Sequence, residues 1–137
     1  MTQELLVEMA RDALQYAYAP YSNYRVAAAI LTEDGEVFTG VNVENAAYGA
    51  TICAEQVAAV KAVSAGHRTF KALALTTGQG DLAAPCGICR QVLAEFASPD
   101  MIIILSRGDE RKICRLDELL PLSFTRSNLL EGANNEL

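Results

Sequence analysis

Histidine is almost absent from this chain. His67 is the only one in 137 residues. A single imidazole leaves almost no material for a Ser-His-Asp hydrolase or a multi-histidine metal centre. Placed just after Gly66, it reads as a surface loop residue. No apolar run is long enough to span a bilayer, so no membrane partner is expected. No run of Lys and Arg is present to follow a polynucleotide backbone, and the net charge is −6. Nucleic acid is therefore not an expected partner, and a small neutral substrate suits the charge better. Met1-Thr2-Gln3-Glu4 lacks the basic start and apolar stretch of a signal peptide, which makes the cytoplasm the expected compartment. Repeats, linkers and low-complexity segments are missing as well. What remains is 51% apolar, enough for one domain over residues 1–137 with a real core.

Cysteine is scarce too, at four residues. Two disulfides are arithmetically allowed, but a reducing compartment disfavours them. Three of the four fall into a pattern: Cys53-Ala54-Glu55, then Pro85-Cys86-Gly87-Ile88-Cys89. Cys114, inside Arg111-Lys112-Ile113-Cys114-Arg115, has no partner spacing around it and reads as a half-buried strand residue.

The elements follow from periodicity. Thr2 caps a first helix in which Leu5, Leu6, Met9, Ala10, Ala13, Leu14 and Ala17 recur at three-four spacing, with Pro20 as its stop. Val26 to Thr32 and Val37 to Val43 read as strands around an Asp34-Gly35 turn. A polar loop over Asn45 to Thr51 precedes a helix from Cys53 to Ser64, stopped by Gly66. A strand from Leu73 to Thr77 is followed by a helix from Cys86 to Ala97. Further strands are expected at Ile102–Ser106 and Lys112–Arg115, a short helix at Leu116–Leu120, and a frayed tail from Glu131. Arg107-Gly108-Asp109 reads as a turn between strands. This order predicts an α/β fold, a three-layer sandwich with a five-stranded mixed sheet. The first two strands should pair antiparallel, and strands joined through helices should run parallel.

Both cysteine motifs fall at predicted helix starts, where backbone N–H groups and the helix dipole favour anions and hence thiolates. Cys86 and Cys89 are one turn apart, so their sulfurs meet; Cys53 must come from a neighbouring helix. A lone C-x-x-C also fits a redox pair, or half of a four-cysteine structural zinc site with Cys114 as the fourth ligand. The upstream Cys-Ala-Glu and the Pro before Cys86 favour a catalytic zinc with three protein ligands and an open position. The chemistry that fits is hydrolytic deamination. Glu55 accepts a proton from water, passes one to the ring nitrogen beside the attacked carbon, and then one to departing ammonia.

At these residues the chain resembles the small homotetrameric cytidine deaminases. The stretches that carry the likeness are Pro20-Tyr21-Ser22-Asn23-Tyr24-Arg25-Val26, Asn42-Val43-Glu44-Asn45-Ala46-Ala47-Tyr48-Gly49, Thr51-Ile52-Cys53-Ala54-Glu55 and Pro85-Cys86-Gly87-Ile88-Cys89-Arg90-Gln91-Val92-Leu93. The likeness runs from Ala17 to Pro121. It implies one zinc per subunit on Cys53, Cys86 and Cys89, with Glu55 as the catalytic carboxylate. It also implies a nucleoside held by several groups. Asn42 and Glu44 would grip the ribose, Tyr24 would stack on the pyrimidine, and the Ala54 amide would hold the 2-carbonyl. Ala46, Tyr48 and Phe124 would reach a neighbouring subunit's site. Asn42 and Glu44, two residues apart on a strand, would face the same way. The implied activity is conversion of cytidine and deoxycytidine to uridine and deoxyuridine, in pyrimidine salvage.

Three positions depart from the family pattern. Ala27 stands for a usual Gly and Tyr24 for a usual Phe. Gln56 stands where Arg often donates hydrogen bonds to the thiolates. Three thiolates overcompensate a zinc dication, so that lost charge must be made up elsewhere; helix dipoles and Arg90 are the expected sources. Two other readings stay open: a deaminase of a modified aminopyrimidine nucleoside such as a nucleoside antibiotic, and a non-catalytic protein with a structural zinc. The second has no use for Glu55.

Overall fold

Thr2 Oγ1 accepts the amide proton of Leu5 at 3.1 Å and so starts helix α1 (Gln3–Ala13). The computed structural model describes residues 1–130, and the expected frayed tail lies outside the described residues. Periodicity predicts that the first helix runs to Ala17, but α1 stops at Ala13 and one 3-10 turn, Leu14–Tyr16, follows. Ala17 is extended instead (ψ 135°), because Tyr18 donates its amide to Asn42 O at 3.0 Å and bridges to Val43. Tertiary pairing overrides helix propensity there.

Strands β1 (Val26–Thr32) and β2 (Val37–Val41) form an antiparallel hairpin, with Gly35 at φ +91° in the turn. β2 ends two residues earlier than predicted, since Val43 makes only isolated bridges to Tyr18 and Ile52. Within the expected loop, Tyr48–Ala50 forms a 3-10 turn. Then come α2 (Ala54–Ser64), β3 (Phe70–Thr77), α3 (Gly87–Phe96), β4 (Ala97–Arg107), β5 (Glu110–Arg115), α4 (Leu116–Leu119) and α5 (Arg126–Leu130). β3 and β4 start earlier than their apolar runs suggest. The extra part of β4 carries an irregularity: Phe70 pairs with Ala97, yet Ala72 pairs with Ile102. Pro99 lies in that excursion, where its missing N–H costs the ladder nothing. α5 has too few apolar positions to announce itself.

The five strands lie in the order β2-β1-β3-β4-β5. β3 and β4, joined through α3, are parallel neighbours as expected. β2 and β3, joined through α2, also point the same way, but β1 lies between them and is antiparallel to both. Strand alternation divides the core in two. Leu6, Val7 and Ala10 of α1 pack on Ala29, Leu31, Ala74 and Ile104. Ala54, Ala58 and Leu93 of α2 and α3 pack on Ala28, Ile30, Leu73 and Ile103 across the other face. The result is the three-layer α/β sandwich.

α2 lies close to the sheet because of Gly40. A Cβ there would fall inside contact distance of Ala54 O and Ala58 N, both backbone atoms. Lys61 Nζ, near the end of α2, donates to Thr39 O of β2 at 2.6 Å. These contacts set where α2 begins, and so where its first residues point.

Candidate metal centre and substrate cavity

Cys53 and Cys86 are the N-caps of α2 and α3, and Cys89 lies in the first turn of α3. The two helix starts converge, so the three sulfurs lie within 4.8 Å of one another. Cys86 Sγ and Cys89 Sγ are 3.4 Å apart. Cys89 is buried, Cys53 half-buried and Cys86 exposed, which leaves the cluster open on one side. Cys114 sits on β5 with its Sγ 3.8 Å from Ile103 O and takes no part in the cluster. It is 7% exposed, more enclosed than the half-buried position expected. A four-cysteine site is thereby excluded.

Three soft donors at two positive helix ends form a set that suits zinc. The Cys53 thiol is pulled down to about 7, mainly by hydrogen bonding with Cys89 and further by Cys86, against burial and the Glu55 charge. Cys89, the other partner in that bond, is held up. Glu55, one helical step beyond Ala54, is 4% exposed, and burial pushes its carboxyl above the ordinary range.

A cavity of about 230 Å³ opens against this cluster, lined by Tyr24, Asn42, Cys53, Ala54, Glu55 and Cys86 among others. The expected ring-stacking, amide, catalytic and metal-binding positions are thus brought together. Ala54 is the first residue of α2, so its amide belongs to the helix's unpaired N–H groups. Sequence reasoning missed Leu75, Ala83, Ala84 and Ile52, which line the same cavity. They are small or apolar and carry no chemical signature.

Glu44 is not on the wall of that cavity. It lines an adjoining hollow of about 380 Å³ with Tyr21, Ser22, Asn45, Tyr48 and Thr51. Thr51 borders both. Asn42 and Glu44 therefore do not share one regular strand face, because β2 has already ended. The Ser22 hydroxyl, then the Ser22 and Tyr21 amides, hold the Glu44 carboxyl below its ordinary range. The Asn42 amide is engaged by main chain: Oδ1 accepts from Val26 N at 3.0 Å, and Nδ2 donates to Tyr24 O at 2.8 Å.

Gln56, Arg90, Ala27 and His67 make contacts that their sequence positions do not announce. The Gln56 side chain acts as an acceptor, its Oε1 taking the Cys53 amide proton at 2.9 Å. The backbone amide can only donate, so an acceptor has to face it. Arg90 donates from Nε to Pro85 O and from Nη1 to Leu119 O, both at 2.7 Å, and makes no hydrogen bond to a sulfur among the described residues. It ties α3 to α4 behind the site. Ala27 faces away from Val26, a cavity residue, so its methyl does not touch the cavity wall. His67 lies on a loop, but its ring is largely enclosed. Asp34 and Glu36 lie at 3.0 and 2.8 Å from its two nitrogens, and Phe38 packs beside it. Ala46 is exposed, and Tyr48 and Phe124 point outward at 77% and 62% exposure.

A family model described as the cytidine and deoxycytidylate deaminase zinc-binding region matches residues 1–105. The chain belongs to this family. Cytidine deaminase of Sporosarcina psychrophila is 44% identical to it over 97% of this chain and 98% of its own. The crystal structure of cytidine deaminase from Burkholderia pseudomallei superposes with a TM-score of 0.86 at 43% identity, covering 90% of this chain and 100% of that one. Blasticidin-S deaminase of Bacillus cereus is 31% identical over 89% of this chain and 91% of its own. The α/β fold is therefore shared with a cytidine deaminase of known structure, and the three-cysteine cluster of this chain fits a family described by its zinc-binding region.

Proposed function

We propose that this chain is a zinc-dependent cytidine deaminase, a single catalytic domain over residues 1–137 that converts cytidine and deoxycytidine to uridine and deoxyuridine in pyrimidine salvage. The observation that carries the reading is a buried carboxylate, Glu55, beside a three-sulfur cluster at the wall of a cavity. A structural zinc site has no need of that carboxylate.

Cys53, Cys86 and Cys89 would hold one zinc ion per chain. When bound, zinc supplies Lewis acidity, which lets a water give up a proton near neutral pH. Glu55 takes that proton. Burial raises its basicity, so it holds the proton and then delivers it to the ring nitrogen next to the amine-bearing carbon. The water oxygen bonds to that carbon. The water's second proton travels to the amine through the same carboxylate, the carbon–nitrogen bond breaks, and ammonia leaves. Tyr24 stacks on the ring, the Ala54 amide holds the 2-carbonyl, and Asn42 and Glu44 take the sugar.

The active form would be a homotetramer with sites shared between copies. Tyr48, Ile52, Val60, Ile88 and Phe124 support this, being large apolar or aromatic side chains that one chain leaves exposed. Ala46, Tyr48 and Phe124 would then meet a neighbour's nucleoside. Work in the cytoplasm agrees with a cluster that needs reduced sulfurs. No helix of the described residues is long and apolar enough to cross a membrane. The second reading, a modified aminopyrimidine nucleoside as substrate, is favoured only by the 31% identical blasticidin-S deaminase.

Ammonia release and the ultraviolet change with cytidine, deoxycytidine and cytosine test the proposal, beside Glu55→Ala. Turnover of both nucleosides but not the free base is expected. The variant should lose about 10²-fold to 10⁴-fold or more in rate while keeping its zinc. Absence of turnover by folded, zinc-loaded protein would overturn the cytidine assignment.

A further inference from the structure

Ser22 is the hub of a closed circuit that none of the metal or substrate roles above explains. A serine hydroxyl has one proton and two lone pairs. Here the proton goes to Glu44 Oε2, and a lone pair accepts the Tyr24 amide proton at 3.0 Å. Glu44 Oε1 accepts the Tyr21 and Ser22 amides at 2.9 and 3.1 Å. On the far side of Tyr24, its carbonyl accepts from Asn42 Nδ2. The circuit thus runs from Asn42 to Tyr24 to Ser22 to Glu44 and closes through the chain from 42 to 44. Asn23, between Ser22 and Tyr24, takes φ +58°, which turns the Tyr24 amide back toward the hydroxyl.

We propose that Ser22 is a positioning residue for nucleoside binding. Its hydroxyl fixes the Glu44 carboxylate, in the outer hollow, at a set distance from the Tyr24 ring in the cysteine cavity. A carboxylate has about four lone-pair sites. Three are taken by these donors, so the remaining one has a single direction in which to accept a sugar hydroxyl. Without Ser22 Oγ, one carboxylate oxygen swings and the Tyr24 amide loses its partner. Base stacking and sugar capture then no longer share one geometry. The proposal rests on the reading of Tyr24 and Glu44 as nucleoside contacts.

Steady-state kinetics of Ser22→Ala and Ser22→Thr with both nucleosides test it. For Ser22→Ala, KM should rise about tenfold, the scale of a lost charge-assisted hydrogen bond, with kcat changed by less than about twofold and zinc content intact. Ser22→Thr keeps a hydroxyl and should restore KM. In a Glu44→Ala background, where the hydroxyl has no carboxylate to fix, Ser22→Ala should raise KM by less than in the parent, leaving only the part that acts through the Tyr24 amide. A loss of structure alone would lower the amount of active enzyme, and so kcat, without this split or this rescue. Unchanged KM in Ser22→Ala, a fall confined to kcat, or no rescue by Thr would overturn the proposal. If the wild-type protein turns over neither nucleoside, the deaminase assignment fails first. Calorimetric binding of cytidine and uridine then decides the role of Ser22: weaker binding by Ser22→Ala supports it, and equal or absent binding overturns it.

Discussion

Gln56 illustrates what a single residue can and cannot disclose. Its position beside the Cys-Ala-Glu motif is plain in the chain, and so is its lack of charge. Its bond is not, because a side-chain amide both donates and accepts. The fold decides, by turning the Cys53 amide toward it at 2.9 Å. Gln56 therefore holds Cys53, a proposed metal ligand, and ties the start of α2 to its cap. Gln56→Ala should lower stability by about 1 kcal/mol, the scale of a lost cap, and weaken zinc binding by about 10-fold to 100-fold. Thermal unfolding and competition with a chromophoric chelator measure the two. Unchanged zinc affinity would leave Gln56 a cap and nothing more. The cysteines and Glu55 were legible for a simpler reason: each has one dominant chemistry, and their spacing expresses it. Leu75 and Ala83 form the same cavity and had no such signature.

At the scale of elements, the site depends on how closely α2 approaches β2. Gly40 permits that approach, with backbone atoms of Ala54 and Ala58 occupying the place a Cβ would take. Neither side of that contact is a flexible side chain, so a methyl group must push the helix away. Gly40→Ala should cost about 1–3 kcal/mol by overpacking. It should also weaken zinc binding, because Cys53 caps the displaced helix. Urea unfolding with and without bound zinc measures both effects, and a variant as stable as the parent would contradict this packing account. β1 was readable because its run of apolar residues is buried on both faces, as a central strand requires. The ends of α1 and β2 were not. They are set by Tyr18, Asn42 and Val43 meeting across the chain, a contact with no local pattern.

For the whole molecule, the mixed sheet followed from element order, but its strand sequence did not. The crossover through α2 fixes the direction of β3 relative to β2 and says nothing of β1 entering between them. That insertion brings Val26 of β1 next to Thr77 of β3, beneath the cavity that holds Tyr24, Asn42 and Glu55. The two helix starts then place three sulfurs at the cavity wall. Architecture and chemistry meet in one claim: water, activated at this cluster and deprotonated by Glu55, replaces the amine of a cytosine nucleoside. Mass analysis of the product formed from cytidine in heavy-oxygen water tests it most directly. The expected result is uridine carrying one heavy oxygen with one ammonia released per uridine, both lost in Glu55→Ala. Ammonia formed without the label, or full turnover by the Glu55→Ala variant, would contradict the account.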